Sequence, residues 1–285
     1  MNTWLKQLRP LFATPEPLDL VQTLTLVLLM FQAPLDWYGR IPMVMLGVAG
    51  LAMPALRRQG GFWFLLAAIW LGWTVRNWAT ADNHKWLSGY WCLAMGTACF
   101  YGDRALVVLQ RNARYMIAFA FLFATLAKVV SPTYVTNAFF EYTTLADNRF
   151  HGYGHTMKLM SPQQTAQNEK AILAVAGPAP SAASRTLEAS PWLRPASLVL
   201  TWWTVFIELL IGVVFLFPLN RWRDPSLLLF LVTTYTITTV VGFGWLLALM
   251  AMTLSPRRGW YVLAIILIEA YEAPLTWFLR FLPSF

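Results

Sequence analysis

Apolar runs of membrane-spanning length recur along almost the whole chain, and that recurrence restricts the fold more than any other feature. A helix needs about 20 mostly apolar residues to cross the hydrocarbon core of a bilayer. Runs of that order lie at 18–37, 41–56, 61–79, 86–102, 112–132 and 196–218, followed by a longer region at 226–254 and a last run at 258–280. The 285 residues are 58% hydrophobic and only 12% charged, about half the charge of an ordinary soluble domain. Mean hydropathy is +0.53. The expectation is an all-α polytopic membrane protein, a bundle of about 7–9 transmembrane or re-entrant helices with one long non-cytoplasmic loop. Residues 1–17 read as an interfacial N-terminal helix, from Trp4, Leu5, Leu8, Leu11 and Phe12. The remainder, 18–285, reads as a single transmembrane domain. The opening residues lack the pattern of a cleaved signal peptide.

Region 226–254 is too long for one upright crossing, and VVGFGW (240–245) supplies two glycines at which it is expected to bend into two shorter segments. Trp37, Trp78, Trp86, Trp192, Trp222, Trp260 and Trp277 fall at run ends, the positions of an interfacial belt. Clustered arginine sets the orientation. Arg57–Arg58, Arg104–Arg111–Arg114 and Arg221–Arg223 share a side with Lys6 and Arg9, which places the N-terminus in the cytoplasm and 133–195 outside. A bacterial inner membrane is the expected location. Within the long connection, 133–158 reads as the ordered part and 161–190, which includes AGPAPSAAS (176–184), as mostly mobile. The absence of an internal repeat disfavours an inverted-repeat transporter. The net charge of +8 sits between the apolar runs, where it faces anionic headgroups. No basic-aromatic groove pattern accompanies it, so nucleic acid is not an expected partner.

Against this apolar background the ionisable residues stand out. Lys128 ends FLFATLAKVV (121–130), and an ammonium at a helix centre costs roughly 2.5–3.5 kcal/mol on insertion scales unless it is neutral, paired or wetted. One reading is that its stem snorkels to the headgroups. The other is a desolvated amine acting as a base beside His84, since ADNHKWLSGYW (81–91) enters the fourth run from the same outer side. In RFHGYGHTMKLM (149–160), His151 and His155 with Met157 and Met160 are weak candidates for a soft metal. Gly152 and Gly154 argue against the helical geometry that would preorganise the histidines, and no metal is expected. Cys92 and Cys99 read as small residues packed on one helix face. Glu269 and Glu272 in the last run read as buried against a neighbouring helix or water.

DNHKWLSGYWCL (82–93) resembles the Asn-His-x-aromatic-Leu signature that opens a span in the HTTM (horizontally transferred transmembrane) family. That family is related to the membrane module of vitamin K-dependent γ-glutamyl carboxylase. YMIAFAFLFATLAKVVSPTYV (115–135) resembles the next family helix with its lysine, and WWTVFIELLIGVVFLFP (202–218) resembles a later span with a mid-helix glutamate. The three occur in family order, and the resemblance covers roughly residues 18–254. It implies an enzyme of the lyase or carboxylase class in which Lys128 is the base that deprotonates a reduced naphthoquinone, supported by His84 with Asn83. The oxygenated quinone would take a proton from a substrate glutamate, and the carbanion would capture carbon dioxide. The implied partners are the lipid bilayer and a secreted peptide substrate. Glu208 is matched without a catalytic role and reads as a buried, paired helix-to-helix contact. LFLVTTYTITTVVGFG (229–244) has no histidine where the carboxylase carries a Phe-His pair. The alternative reading is a non-catalytic structural or accessory subunit of a larger membrane complex, holding other membrane subunits through its aromatic and Met-rich faces.

Overall fold

The computed structural model describes residues 16–32, 36–79, 81–176, 186–218, 220–238, 240 and 242–281. The expected N-terminal helix over 1–17 falls almost entirely outside them. The described chain is all-helical, with no strand among the described residues. In order, the helices are α1 (Pro17–Phe31), α2 (Trp37–Ala52), α3 (Pro54–Arg57), α4 (Gly60–Arg76), α5 (Asn83–Cys99) and α6 (Ala105–Val130). Four short or medium helices follow: α7 (Pro132–Val135), α8 (Ala138–Ala146), α9 (Asn148–Thr156) and α10 (Pro162–Ala176). The chain ends with α11 (Leu193–Leu216), α12 (Arg223–Ile237), α13 (Phe243–Leu254) and α14 (Arg258–Phe281). Among the described residues each apolar run is mostly helical, with breaks at Met53 and between Ile237 and Phe243. Gly102–Val130 and Leu193–Leu216 are each long and apolar enough to cross a membrane, while Pro17–Phe31, Tyr38–Ala52 and Phe243–Leu254 are apolar but shorter.

The chain divides into two compact units, Met1–Arg114 with Gly242–Ile265 and Tyr115–Val241 with Ile266–Phe285. In the first, α4 packs along α5, and small residues bring the two backbones together. A Cβ on Gly60 would lie 2.8 Å from the Gly96 carbonyl oxygen and 2.7 Å from the Phe100 ring. Trp63, Trp70 and Trp91 are wholly buried, yet each indole N–H donates. Trp63 bonds the Arg57 carbonyl at 2.7 Å, Trp70 the Lys85 carbonyl at 2.7 Å, and Trp91 the Thr25 hydroxyl at 3.1 Å. Three large rings are thus buried without an unmet donor.

Region 226–254 is broken, as its glycines predict. α12 stops at Ile237, and α13 starts at Phe243 after Gly242, whose φ of +75° lies in the left-handed region. A side chain at 242 is excluded twice, by that backbone and because its Cβ would overlap the Gln32 amide. The 12 residues of α13 run only about 18 Å, short of a hydrocarbon core of roughly 30 Å. Residues 244–253 are all buried, with Trp245 against Phe31 of α1 at 6.0 Å between ring centroids. Gln110 Nε2 donates to the Thr253 carbonyl at 2.7 Å and so meets one of the acceptors left open at the end of α13.

In the second unit, α11 carries α8 and α12 against it. Tyr134, Phe140, Phe150 and Leu200 form one apolar cluster; Leu145, Leu159, Met160 and Leu193 form another. The expectation that 161–190 is mostly mobile does not hold for its first half. α10 is a helix that buries Thr165 and Asn168. Asn168 Nδ2 donates to the Glu188 carbonyl at 2.9 Å, and its Oδ1 accepts from the Glu188 amide at 2.8 Å. The segment is polar, but Gln, Glu, Lys, Leu and Ala are strong helix formers, so polarity there marks an exposed helix face. Residues 177–185 lie outside the described part.

Candidate functional site

The last turn of α6 carries Lys128, and its Nζ donates to both Glu208 oxygens, Oε1 at 2.7 Å and Oε2 at 2.6 Å. The two side chains are 20% and 10% exposed. α11 delivers Glu208 to this point because Gly212, one turn further on, leaves room for α6. A Cβ there would lie 2.8 Å from the Leu122 side chain and 3.2 Å from its backbone nitrogen. Lys128 Nζ also lies 5.5 Å from the centroid of the Tyr134 ring, within cation–π range. The Tyr134 hydroxyl is 2.9 Å from the Thr204 hydroxyl, and Thr204 stands one turn before Glu208 on the same face of α11. Burial pushes the Tyr134 phenol well above its ordinary value, and the nearby Glu208 carboxylate adds to the effect, so the phenol keeps its proton. The result is one cluster of amine, carboxylate, phenol and hydroxyl drawn from three helices.

Asn83 and His84 occupy the first turn of α5, in the first unit, whereas Lys128 belongs to the second. Asn83 is exposed and His84 half-buried, its ring 6.0 Å from that of Phe243. Beside them Lys85 Nζ lies 4.5 Å over the Trp73 ring, and Trp73 Nε1 donates to Asp36 at 3.0 Å.

The histidines of 149–160 correct one expectation. Gly152 and Gly154 do not break the helix: α9 runs through both, and His151 and His155 stack on one face with centroids 6.2 Å apart. Asp147 caps α9 by accepting from the Arg149 amide, and Gly154 is buried under Met160. Cap and packing together offset a glycine penalty of about 1 kcal/mol each. His151 Nδ1 faces Glu169 at 3.9 Å, and His155 Nε2 lies 2.9 Å from the Thr165 hydroxyl. No group of three or more His, Cys, Asp or Glu able to hold a metal occurs among the described residues. Cys92 and Cys99 are free thiols, and Cys99 leans on the Arg57 carbonyl at 3.6 Å. Glu269 is half-buried; the side chain of Glu272 falls outside the described part.

Tyr134 and Thr204 are the cluster members that sequence reasoning passed over. The i, i+4 spacing of Thr204 and Glu208 was the available signal, since it puts hydroxyl and carboxylate on one helix face. No family model, curated protein or solved structure matches the chain.

Proposed function

We propose that the chain is a multi-pass membrane protein of the HTTM type, in a bacterial inner membrane with its N-terminus cytoplasmic. In this reading the Lys128–Glu208 pair handles a proton for a reduced quinone at the outer leaflet. Apolar exposure supports the membrane. Val199, Trp202, Phe206, Leu209 and Val213 are all exposed along α11, a surface that lipid covers without cost and water does not. Trp78, Trp192, Trp222 and Trp260 are each more than half exposed at or beside helix ends, where a headgroup layer would hold them.

The observation that carries the chemistry is the meeting of the Lys128 amine with both oxygens of a largely buried carboxylate. The pair sits at hydrogen-bond distance among apolar side chains, the geometry a base and its charge partner need. The role of base is the one that the resemblance gives Lys128. In this reading Nζ takes the proton of a quinol hydroxyl while the Glu208 carboxylate, bonded to Nζ through both oxygens, holds the counter-charge. When bound, a reduced naphthoquinone would supply the reducing power for the strong base that carboxylation needs. His84 and Asn83 keep the supporting role implied by the resemblance.

The same pair favours a second reading, a structural subunit, because a charge-matched contact beside Gly212 also clamps α6 to α11. Lys128→Arg separates the two, since arginine keeps the ion pair but cannot give up its proton. In lipid nanodiscs supplied with a naphthohydroquinone, the wild type is expected to show quinone-linked oxygen uptake. K128R is expected to show none, at an unchanged Tm. No uptake by the wild type, or equal uptake by K128R, leaves only the structural reading.

A further inference from the structure

The first unit holds a cavity of about 580 Å³ between the start of α1, the turn joining α3 to α4, and the start of α6. Its volume is that of a small-molecule site, within the usual range of roughly 300–1,000 Å³. Three carboxylates line it, from Glu16, Asp19 and Asp103, against one guanidinium, from Arg58, which leaves an excess of two negative charges. Arg58 is already committed to its neighbours, with Nη2 3.3 Å from Asp19 and 3.9 Å from Glu16.

A second observation does not depend on the carboxylates. Gln22 lines the same cavity and is wholly buried. Its Nε2 donates to the Arg57 carbonyl at 3.0 Å and approaches Cys99 Sγ at 3.6 Å. Because a carbonyl can only accept, that bond fixes which end of the amide faces it. The other end, Oε1, is buried with no hydrogen-bond partner. An acceptor left in that condition costs about 1–3 kcal/mol, and a ligand with an N–H or O–H to give would remove the cost.

We infer that this cavity binds a primary ammonium group carried on a short aliphatic chain. The ammonium donates to Gln22 Oε1 while the carboxylates of Asp19 and Asp103 balance its charge, and Leu18 and Leu106 cover its methylenes. A divalent metal is a poor match, because no group of three acidic, histidine or cysteine side chains among the described residues is placed to ligate one. A quaternary ammonium is also a poor match, having no N–H for the glutamine. The site is separate in residues and in chemistry from the cluster at Lys128. Its ammonium could come from a soluble amine or from the ethanolamine headgroup of a bilayer lipid, and the test distinguishes these sources.

Full-length protein in detergent, stripped of lipid, is titrated with 1,4-diaminobutane by calorimetry. Saturable binding is expected, weakened about tenfold by Asp103→Asn, a substitution at an exposed position that spares the fold. Gln22→Met is expected to abolish binding, with Tm measured alongside so that misfolding is recognised; the Asp103 variant stands if Gln22→Met unfolds. Tetramethylammonium and Mg²⁺ are the counter-probes. In a second arm, native mass spectrometry follows protein released from nanodiscs of mixed phosphatidylethanolamine and phosphatidylcholine. Preferential retention of the ethanolamine lipid, lost in D103N, assigns the ammonium to a headgroup; diamine binding without such retention assigns it to a soluble amine. The inference is overturned if neither is bound, if tetramethylammonium or Mg²⁺ binds as tightly as the diamine, or if D103N changes nothing.

Discussion

At the scale of single residues, Lys128 and Glu208 explain each other. Each alone would be a charge stranded among apolar side chains, and together they form a hydrogen-bonded pair. Glu208→Gln should therefore cost about 3–5 kcal/mol, because it leaves a mostly buried ammonium uncompensated. Replacing both with methionine should recover most of that loss, and denaturant unfolding in detergent reads both values. Both residues were conspicuous in the sequence as expensive interruptions of apolar runs, but run spacing says nothing about which helix faces which. Their partnership spans 80 positions and exists only once α6 and α11 are packed. Asp147 offers a test of a different kind. Burial opposes its ionisation, but hydrogen bonds from the Arg149 amide and guanidinium outweigh that and hold the carboxyl below its ordinary value of 3.8. A depressed folded value means that the stabilisation is complete above the unfolded value and is lost as pH falls through the lower folded one. Asp147→Asn should flatten the fall in Tm on going from pH 6 to pH 3.

At the scale of elements, the break between α12 and α13 hangs on Gly242. Gly242→Ala forces a Cβ into a left-handed residue and into the Gln32 amide. The loss should be about 1–2 kcal/mol or more, seen as a lower Tm, since left-handed backbone alone costs that much for an ordinary residue. Helix positions were readable from the sequence because apolar runs and flanking glycines mark them directly. α9 and α10 were not, for a common reason: their stability comes from contacts that the local pattern does not contain. α9 tolerates two glycines because Met160 and the Asp147 cap hold it. α10 is tied down by the Asn168 side chain and the Glu188 backbone, 20 residues apart. Asn168→Ala should accordingly raise amide hydrogen exchange through α10 while leaving α11 protected.

At the scale of the whole molecule, the membrane reading makes the chain resistant to alkaline carbonate extraction and soluble only in detergent. It also puts 133–195 outside. A cysteine at Lys158, an exposed position, should react with an impermeant maleimide in intact cells, with Cys92 and Cys99 replaced by alanine. Labelling only after lysis would invert the orientation. The proposed sidedness rests on arginine counts, which survive in the sequence without any knowledge of packing.

The Lys128–Glu208 pair carries a further consequence, for how the chain is made. Lys128 leaves the ribosome 80 residues ahead of Glu208, which at 5–20 residues per second is a wait of about 4–16 s. If α6 spans the bilayer as proposed, it rests during that interval at the insertase or in the bilayer with its ammonium reaching for water. Only the arrival of α11 lets the segment settle to its final depth. Nascent chains arrested before residue 208 should therefore hold α6 in a shallower, chaperone-accessible position, and translation of a few more codons should release it.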